Sequence, residues 1–303
     1  MHVTLLGTAA GGGFPQWNCW CPSCRTAREA PERAHARTQS SVAVSADGAR
    51  WFLLDASPDV RDQIATLPTA RTTETRHVPI EGIVLTDAEL DHTLGIELLR
   101  EGRALHLYAT ASVLGTLERD SRVLPVTRAF ACVQVTVLEP DGMPAPLRYR
   151  DGAPSGLSVQ AFEVAGDPPR FASANEPGHT VGVLIHDGAT GGTCAFVPGC
   201  ADLDDVVLGR LAGADVALLD GTFFTDDEPQ RFGLGDRTAT RMGHAPIGGA
   251  AGTLTRFAGL ACRHKVYTHI NNTNLVLLED SLERRAVERA GVVVGRDGMT
   301  FQI

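Results

Sequence analysis

Short apolar runs alternate along this chain with stretches in which apolar residues recur at helical spacing. Residues 3–6 open the series as a strand, and Gly82-Ile83-Val84-Leu85 reads as a buried one. Residues 38–44 and 50–54 predict a hairpin around Ala46-Asp47-Gly48, and Asp55-Ala56-Ser57-Pro58-Asp59 predicts the cap of a short helix. Further strands are expected at 105–108, 133–138, 157–164, 181–186 and 194–197, with a closing strand pair at 292–294 and 299–303. Helical spacing marks 96–100, 204–212 and 281–290, while 166–178, dense in turn residues, predicts a mobile loop. Strands and helices alternating in two halves predict a layered α/β fold.

Composition narrows the function classes. With 303 residues and 43% hydrophobic side chains, the chain has enough apolar surface for one domain spanning 1–303. A net charge of −9 without a Lys/Arg cluster argues against nucleic acid as partner and favours a small molecule or short peptide. No run approaches the roughly 20 apolar residues of a membrane span, and the first residues lack a charged segment followed by a long apolar one, so a cytoplasmic protein is expected. Seven cysteines, an odd number with three gathered near the start, read as reduced thiols and metal ligands. The oligomeric state stays open, a homodimer included.

Chemistry concentrates at six places. Gly7-Thr8-Ala9-Ala10-Gly11-Gly12-Gly13 matches neither the dinucleotide fingerprint nor the P-loop, and predicts a tight turn that lets backbone approach a site. Cys19, Cys21 and Cys24, at C-x-C-x-x-C spacing, can reach one tetrahedral zinc with bonds of about 2.3 Å, a fourth ligand coming from elsewhere. After the strand at 82–85, Thr86-Asp87-Ala88-Glu89-Leu90-Asp91-His92 delivers three carboxylates and an imidazole to a turn, as a metal or acid/base site requires. An apolar strand ends at Asp220-Gly221-Thr222, another at His269, and Arg241-Met242-Gly243-His244 adds an imidazole between them. A single histidine at a strand end is more often structural than a ligand; three such sites of one character shift that balance.

Several of these motifs, in this order, resemble the pyrroloquinoline quinone (PQQ) biosynthesis protein B family of the metallo-β-lactamase superfamily. They are Gly11-Gly12-Gly13-Phe14-Pro15-Gln16-Trp17-Asn18-Cys19, Arg37-Thr38-Gln39-Ser40-Ser41, Ala56-Ser57-Pro58-Asp59, Asp91-His92, Asp220-Gly221-Thr222, Met242-Gly243-His244 and His269-Ile270-Asn271-Asn272-Thr273-Asn274. The resemblance spans nearly the whole chain and implies an α/β, metallo-β-lactamase-like αββα four-layer sandwich. The superfamily marks its metal site with His-x-His-x-Asp-His, and here Asp87 and Glu89 stand at the first two histidine positions. Asp91, His92 and His269 keep their places, two histidines and a carboxylate, the ligand set of mononuclear non-haem Fe(II). Asp87 and Glu89 are then expected to surround that site without ligating.

The resemblance further implies an oxygenase that uses dioxygen (O2) to hydroxylate the tyrosine-derived ring of a peptide-derived PQQ precursor. Asp220 and His244 match positions that pair as carboxylate and proton-donating histidine in related tRNA-processing and cyclic-phosphate phosphodiesterases, implying a proton shuttle here. In those phosphodiesterases a thiol cluster like Cys19, Cys21 and Cys24 holds structural zinc with a histidine three residues beyond the last catalytic one; here that position is Asn272. Leu275 follows Asn274 where the family usually has proline, which predicts an altered turn. Two other functions compete with the oxygenase: a zinc hydrolase of the ordinary superfamily kind, and a carrier that transports or hands over PQQ or its precursor.

Overall fold

The computed structural model describes residues 1–69, 73, 75–102, 104–250 and 252–303. Its strands gather into two seven-stranded sheets. In chain order they are β1 (His2–Gly7), β2 (Ser41–Ser45), β3 (Trp51–Leu54), β4 (Ile80–Val84), β5 (Ala104–Ala109) and β6 (Cys132–Val137), then β7 (Ala145–Arg148), β8 (Pro154–Glu163), β9 (Val181–Asp187), β10 (Thr193–Val197), β11 (Val216–Asp220), β12 (His264–Thr268), β13 (Val293–Val294) and β14 (Thr300–Gln302). One sheet runs β14-β1-β2-β3-β4-β5-β6, the other β13-β12-β11-β10-β9-β8-β7.

The unbroken apolar runs follow from burial on both faces. In β11, Val216 and Leu218 join Val3, Leu5, Phe52 and Phe196 between the sheets. Ala217 and Leu219, one step out of phase, pack outward with Val207, Phe257 and Val287. The first sheet does the same: Leu53, Ile83 and Leu107 face outward onto Val60, Val113 and Leu117. Helices Ala111–Arg119 and Val123–Arg128 cover that side, and Asp205–Leu211, Leu254–Ala258 and Leu282–Arg289 the other. This is the expected four-layer sandwich.

The hairpin at β2 and β3 pairs antiparallel, Val42 opposite Leu54, and the Asp47 carboxylate accepts from the Ala49 and Arg50 amides, both at 2.9 Å. One expectation fails. The closing strands are no pair: β13 lies beside β12 and β14 beside β1, in different sheets. The connecting turn is held outward at both ends, Gly295 N–H donating to Tyr267 O and Gly298 N–H to Leu5 O, each at 2.8 Å. Segment 55–59 leads into helix Val60–Ala65, with Ser57 Oγ accepting from Asp59 N–H at 3.1 Å; the Asp59 carboxylate instead accepts from Gln39 N and Nε2 at 2.8 and 3.1 Å, tying that helix to the chain ahead of β2.

Parallel pairing decides where the site falls. β3 runs parallel to β4, and β11 to β12, so Asp55, the 86–92 turn, Asp220 and His269 all emerge at strand C-terminal ends. A bond from Val181 N–H to Thr86 O, at 2.9 Å, ties the sheets together there. No helix among the described residues is long and apolar enough to cross a membrane.

Candidate metal centre

Between Leu85 and the short helix Leu90–Thr93 the chain turns sharply, and the turn aims its acids by local hydrogen bonds. Glu89 N–H donates to Asp87 Oδ1 at 2.9 Å, and the Asp87 carboxylate receives His92 Nδ1 at 2.8 and 2.9 Å. An ionised carboxylate only accepts, so Nδ1 carries a proton and Nε2 is the atom left to face a cation. That nitrogen is buried without a hydrogen-bond partner, 3.8 Å from Asp91 Oδ2.

The same logic holds across the cleft. Thr222 Oγ1 gives its proton to Asp220 Oδ1 at 2.6 Å and so accepts from His269 Nδ1 at 2.8 Å. His269 Nε2 thereby faces Asp91 Oδ2 at 3.3 Å. Ligand atoms of Asp91, His92 and His269 all lie within 4.8 Å of one another. Two imidazole Nε2 atoms and a carboxylate oxygen converging on one point suit a divalent cation, whose binding would displace the proton that His269 Nε2 shares with Asp91. Gly11, as the glycine-rich turn predicts, admits the backbone beside this point: a Cβ there would sit 3.2 Å from Asp91 Oδ2.

Electrostatics favour a cation too. Burial alone would lower the His92 pKa, but Asp87, Asp55 and Asp91 outweigh it and raise it. Burial pushes Asp91 up, yet His92 and His269 hold it below the usual carboxylate range. Glu89 is lifted to about 7 by burial and by repulsion from Asp87 and Asp91, and makes no side-chain hydrogen bond among the described residues. The three turn acids therefore split: Asp91 meets the imidazoles at Nε2, Asp87 holds His92 from behind, and Glu89 only lines the cavity.

Asp220 and His244 lie side by side, as the resemblance implies, His244 Nδ1 donating to Asp220 Oδ2 at 2.8 Å. Burial lowers the His244 pKa less than the Asp220 charge and hydrogen bond raise it. His244 stacks on His269 with ring centroids 5.4 Å apart, and Asp220, His244 and His269 form a second group of close donors.

Two residues escape the sequence reading. Asp55, fully buried, accepts from Thr86 N and Oγ1 at 2.9 and 2.7 Å and lies 3.5 Å from His92 Nδ1. Burial lifts its pKa to about 7. Thr222 is the hinge between Asp220 and both cleft imidazoles. Asp55 and His269 both take left-handed backbone, φ +59° and +54°, an uncommon conformation for such residues that strained sites maintain.

The thiol cluster closes against the far end of the same turn. Cys19, Cys21 and Cys24 bring their sulfurs within 4.8 Å of one another, and Asn272 Nδ2 donates to Cys24 Sγ at 3.3 Å. A proton shared from the Cys21 thiol, with the Asn272 amide, draws Cys24 down to about 5, against burial. Asn272 thus reaches the sulfurs with its amide, and half a turn about its Cβ–Cγ bond would present oxygen to an ion between them.

Comparison with known proteins accords with this architecture. The beta-lactamase superfamily domain matches residues 50–270. Coenzyme PQQ synthesis protein B of Methylorubrum populi is 43% identical over 311 residues, covering 100% of both chains. The crystal structure of zinc-bound PqqB from Methylobacterium extorquens superposes with a TM-score of 0.89 at 40% identity, again over 100% of both chains. A diphosphatase of the PhnP family shares the fold alone, with a TM-score of 0.68 at 20% identity over 100% of this chain and 97% of its own. Matched over its whole length at such identity, the chain belongs to the coenzyme PQQ synthesis protein B family of the β-lactamase superfamily.

Proposed function

We propose that this protein is an Fe(II)-dependent oxygenase of PQQ biosynthesis that hydroxylates the tyrosine-derived ring of a peptide-derived precursor. The observation that carries the reading is the donor set: two imidazole Nε2 atoms and one carboxylate, from His92, His269 and Asp91, with carboxylates at the two positions where the superfamily places further histidines. Bound by these three, ferrous iron would supply O2 activation; hydroxylation puts one oxygen atom on the ring and the other into water, with two electrons and two protons from an external two-electron reductant.

The protein's own groups do the rest. Asp87 and Thr222 hold the two imidazoles with Nε2 turned toward the metal position. Asp220 keeps the proton of His244 at Nδ1, so Nε2 is the atom that takes or returns a proton at a ring hydroxyl. Cys19, Cys21, Cys24 and Asn272 would hold a structural zinc that fixes the turn after β12.

A zinc hydrolase is the second reading, favoured by the zinc-bound relative and by the Asp220, His244 and His269 group, which could hold a second ion. Anaerobic reconstitution with ferrous iron, followed by oxygen-uptake measurements and mass spectrometry of a tyrosine-containing precursor, decides between them. The oxygenase consumes O2 only with substrate and adds one oxygen atom to it. Turnover under strictly anaerobic conditions with two zinc ions in the pocket would establish the hydrolase, and neither activity would leave the carrier.

A further inference from the structure

The floor of the cavity explains metal and proton chemistry but not how a ligand is held. The cavity, about 460 Å³, carries Asp87, Glu89 and Asp91 at its base, a field that repels anions. Among the described residues, its permanently cationic lining consists of Arg170 and Arg237. They come from separate loops, one between β8 and β9 and the other between β11 and β12. Both are exposed, and among the described residues neither makes an ion pair or a hydrogen bond. Beside them Phe171, 36% exposed, and Met242 offer apolar surface to a ring.

We infer that Arg170 and Arg237 are the specificity-determining residues of this cavity, two guanidinium forks that select a small aromatic ligand by carboxylates on its periphery while its ring lies toward the metal site. The inference rests on the proposed substrate class and sharpens it from a ring to an aromatic polycarboxylate. A guanidinium presents paired N–H donors that match a carboxylate bidentately, and its charge offsets the acidic floor. Asp167, which lines the same cavity, gives an amino-acid ammonium an acceptor. Phosphate would satisfy the same forks, so the test separates the two anions.

The probe is pyrroloquinoline quinone, a tricarboxylate, against its trimethyl ester and inorganic phosphate, titrated calorimetrically into the metal-loaded protein. The free acid should bind, with the ester and phosphate at least about tenfold weaker. R170A and R237A should each weaken the acid about tenfold, as loss of a charged hydrogen-bond pair does, and leave the ester unchanged. R170K and R237K should recover part of the loss, with metal content and melting temperature constant throughout. In turnover the alanine variants should raise KM and leave kcat near its starting value. Equal affinity for acid and ester, undiminished binding in the double variant, tighter binding of phosphate, or no binding of the acid at all would each overturn the inference. If the acid binds through the arginines while O2 uptake is absent, the selectivity stands and the oxygenase falls; O2 uptake with unaltered KM gives the reverse.

Discussion

The two donor clusters are assembled by opposite means. Three of the four side chains at the thiol cluster come from six consecutive residues, Cys19 to Cys24, and the helix Pro22–Glu29 starts inside it. The imidazole and carboxylate cluster draws on the ends of β3, β4, β11 and β12, and two of its members, Asp55 and His269, hold left-handed backbone. A turn can make the first with little help; only two correctly paired sheets make the second. They meet on one stretch, where His269 serves one and Asn272, three residues on, serves the other. That adjacency raises the question of whether one cluster can fail without the other.

The largest effect should come from His92→Ala or His269→Ala. Each removes one of the three proposed ligands, so the proposed iron should be lost and O2 consumption abolished. Because the thiol cluster is independently built, one zinc per chain should remain by elemental analysis. Loss of both metals from either variant would show that the clusters form as one unit.

His244→Asn comes next. It should retain metal and melting temperature and lower turnover by about 10² to 10⁴, the span seen when a general acid or base is removed. Full activity at unchanged stability would take His244 out of the chemistry; loss of fold would make it structural.

How much of this is legible in the sequence follows from the same contrast. The thiol cluster is visible as spacing, and Asp91, His92, Asp220 and His269 as polar residues punctuating apolar strands. Asp55 is not, because its segment reads as a helix cap; it reaches the site only through the parallel pairing of Leu54 with Val84, which brings it beside Thr86. Strand β7, short, proline-bearing and exposed at two of four positions, carries no alternation to find. β13 and β14 mimic a hairpin because Gly295-Arg296-Asp297-Gly298 is an ordinary turn signal. Contacts from distant residues to that turn, among them Tyr267, Leu5, Thr8, Arg37 and Thr38, hold them in separate sheets. Local chemistry is written locally; pairing between distant strands is not.

A smaller effect should follow from Asp87→Ala. It leaves the three ligands in place and removes the acceptor that holds the His92 proton at Nδ1. Metal affinity or activity should fall about 10 to 100-fold, as is usual when the partner of a ligating histidine is lost. Loss of activity as complete as in His92→Ala would make Asp87 a ligand itself.

The smallest effect on turnover, and the sharpest test of independence, belongs to Cys21→Ser. A structural zinc's binding free energy is in effect folding free energy, so losing one thiolate should lower stability by about a few kcal/mol and zinc by one ion per chain. With Cys21 a zinc-bound thiolate, the tether of the turn behind His269 is the ion itself together with the bond from Asn272 Nδ2 to Cys24 Sγ. His269 is nonetheless held from its other side by Thr222, and Ile270 by Thr8 and Ala10 in the first turn of the chain. With those bonds intact, activity per iron-loaded chain should stay within about threefold of the starting protein at temperatures below the lowered melting point, allowing for the twofold-to-threefold context dependence of such contributions. A melting temperature and zinc content both unchanged would remove the thiols from any metal site. A loss of turnover as deep as that of His244→Asn, in folded and iron-loaded protein, would mean that the thiol cluster sets the geometry of His269 and that the two regions are one.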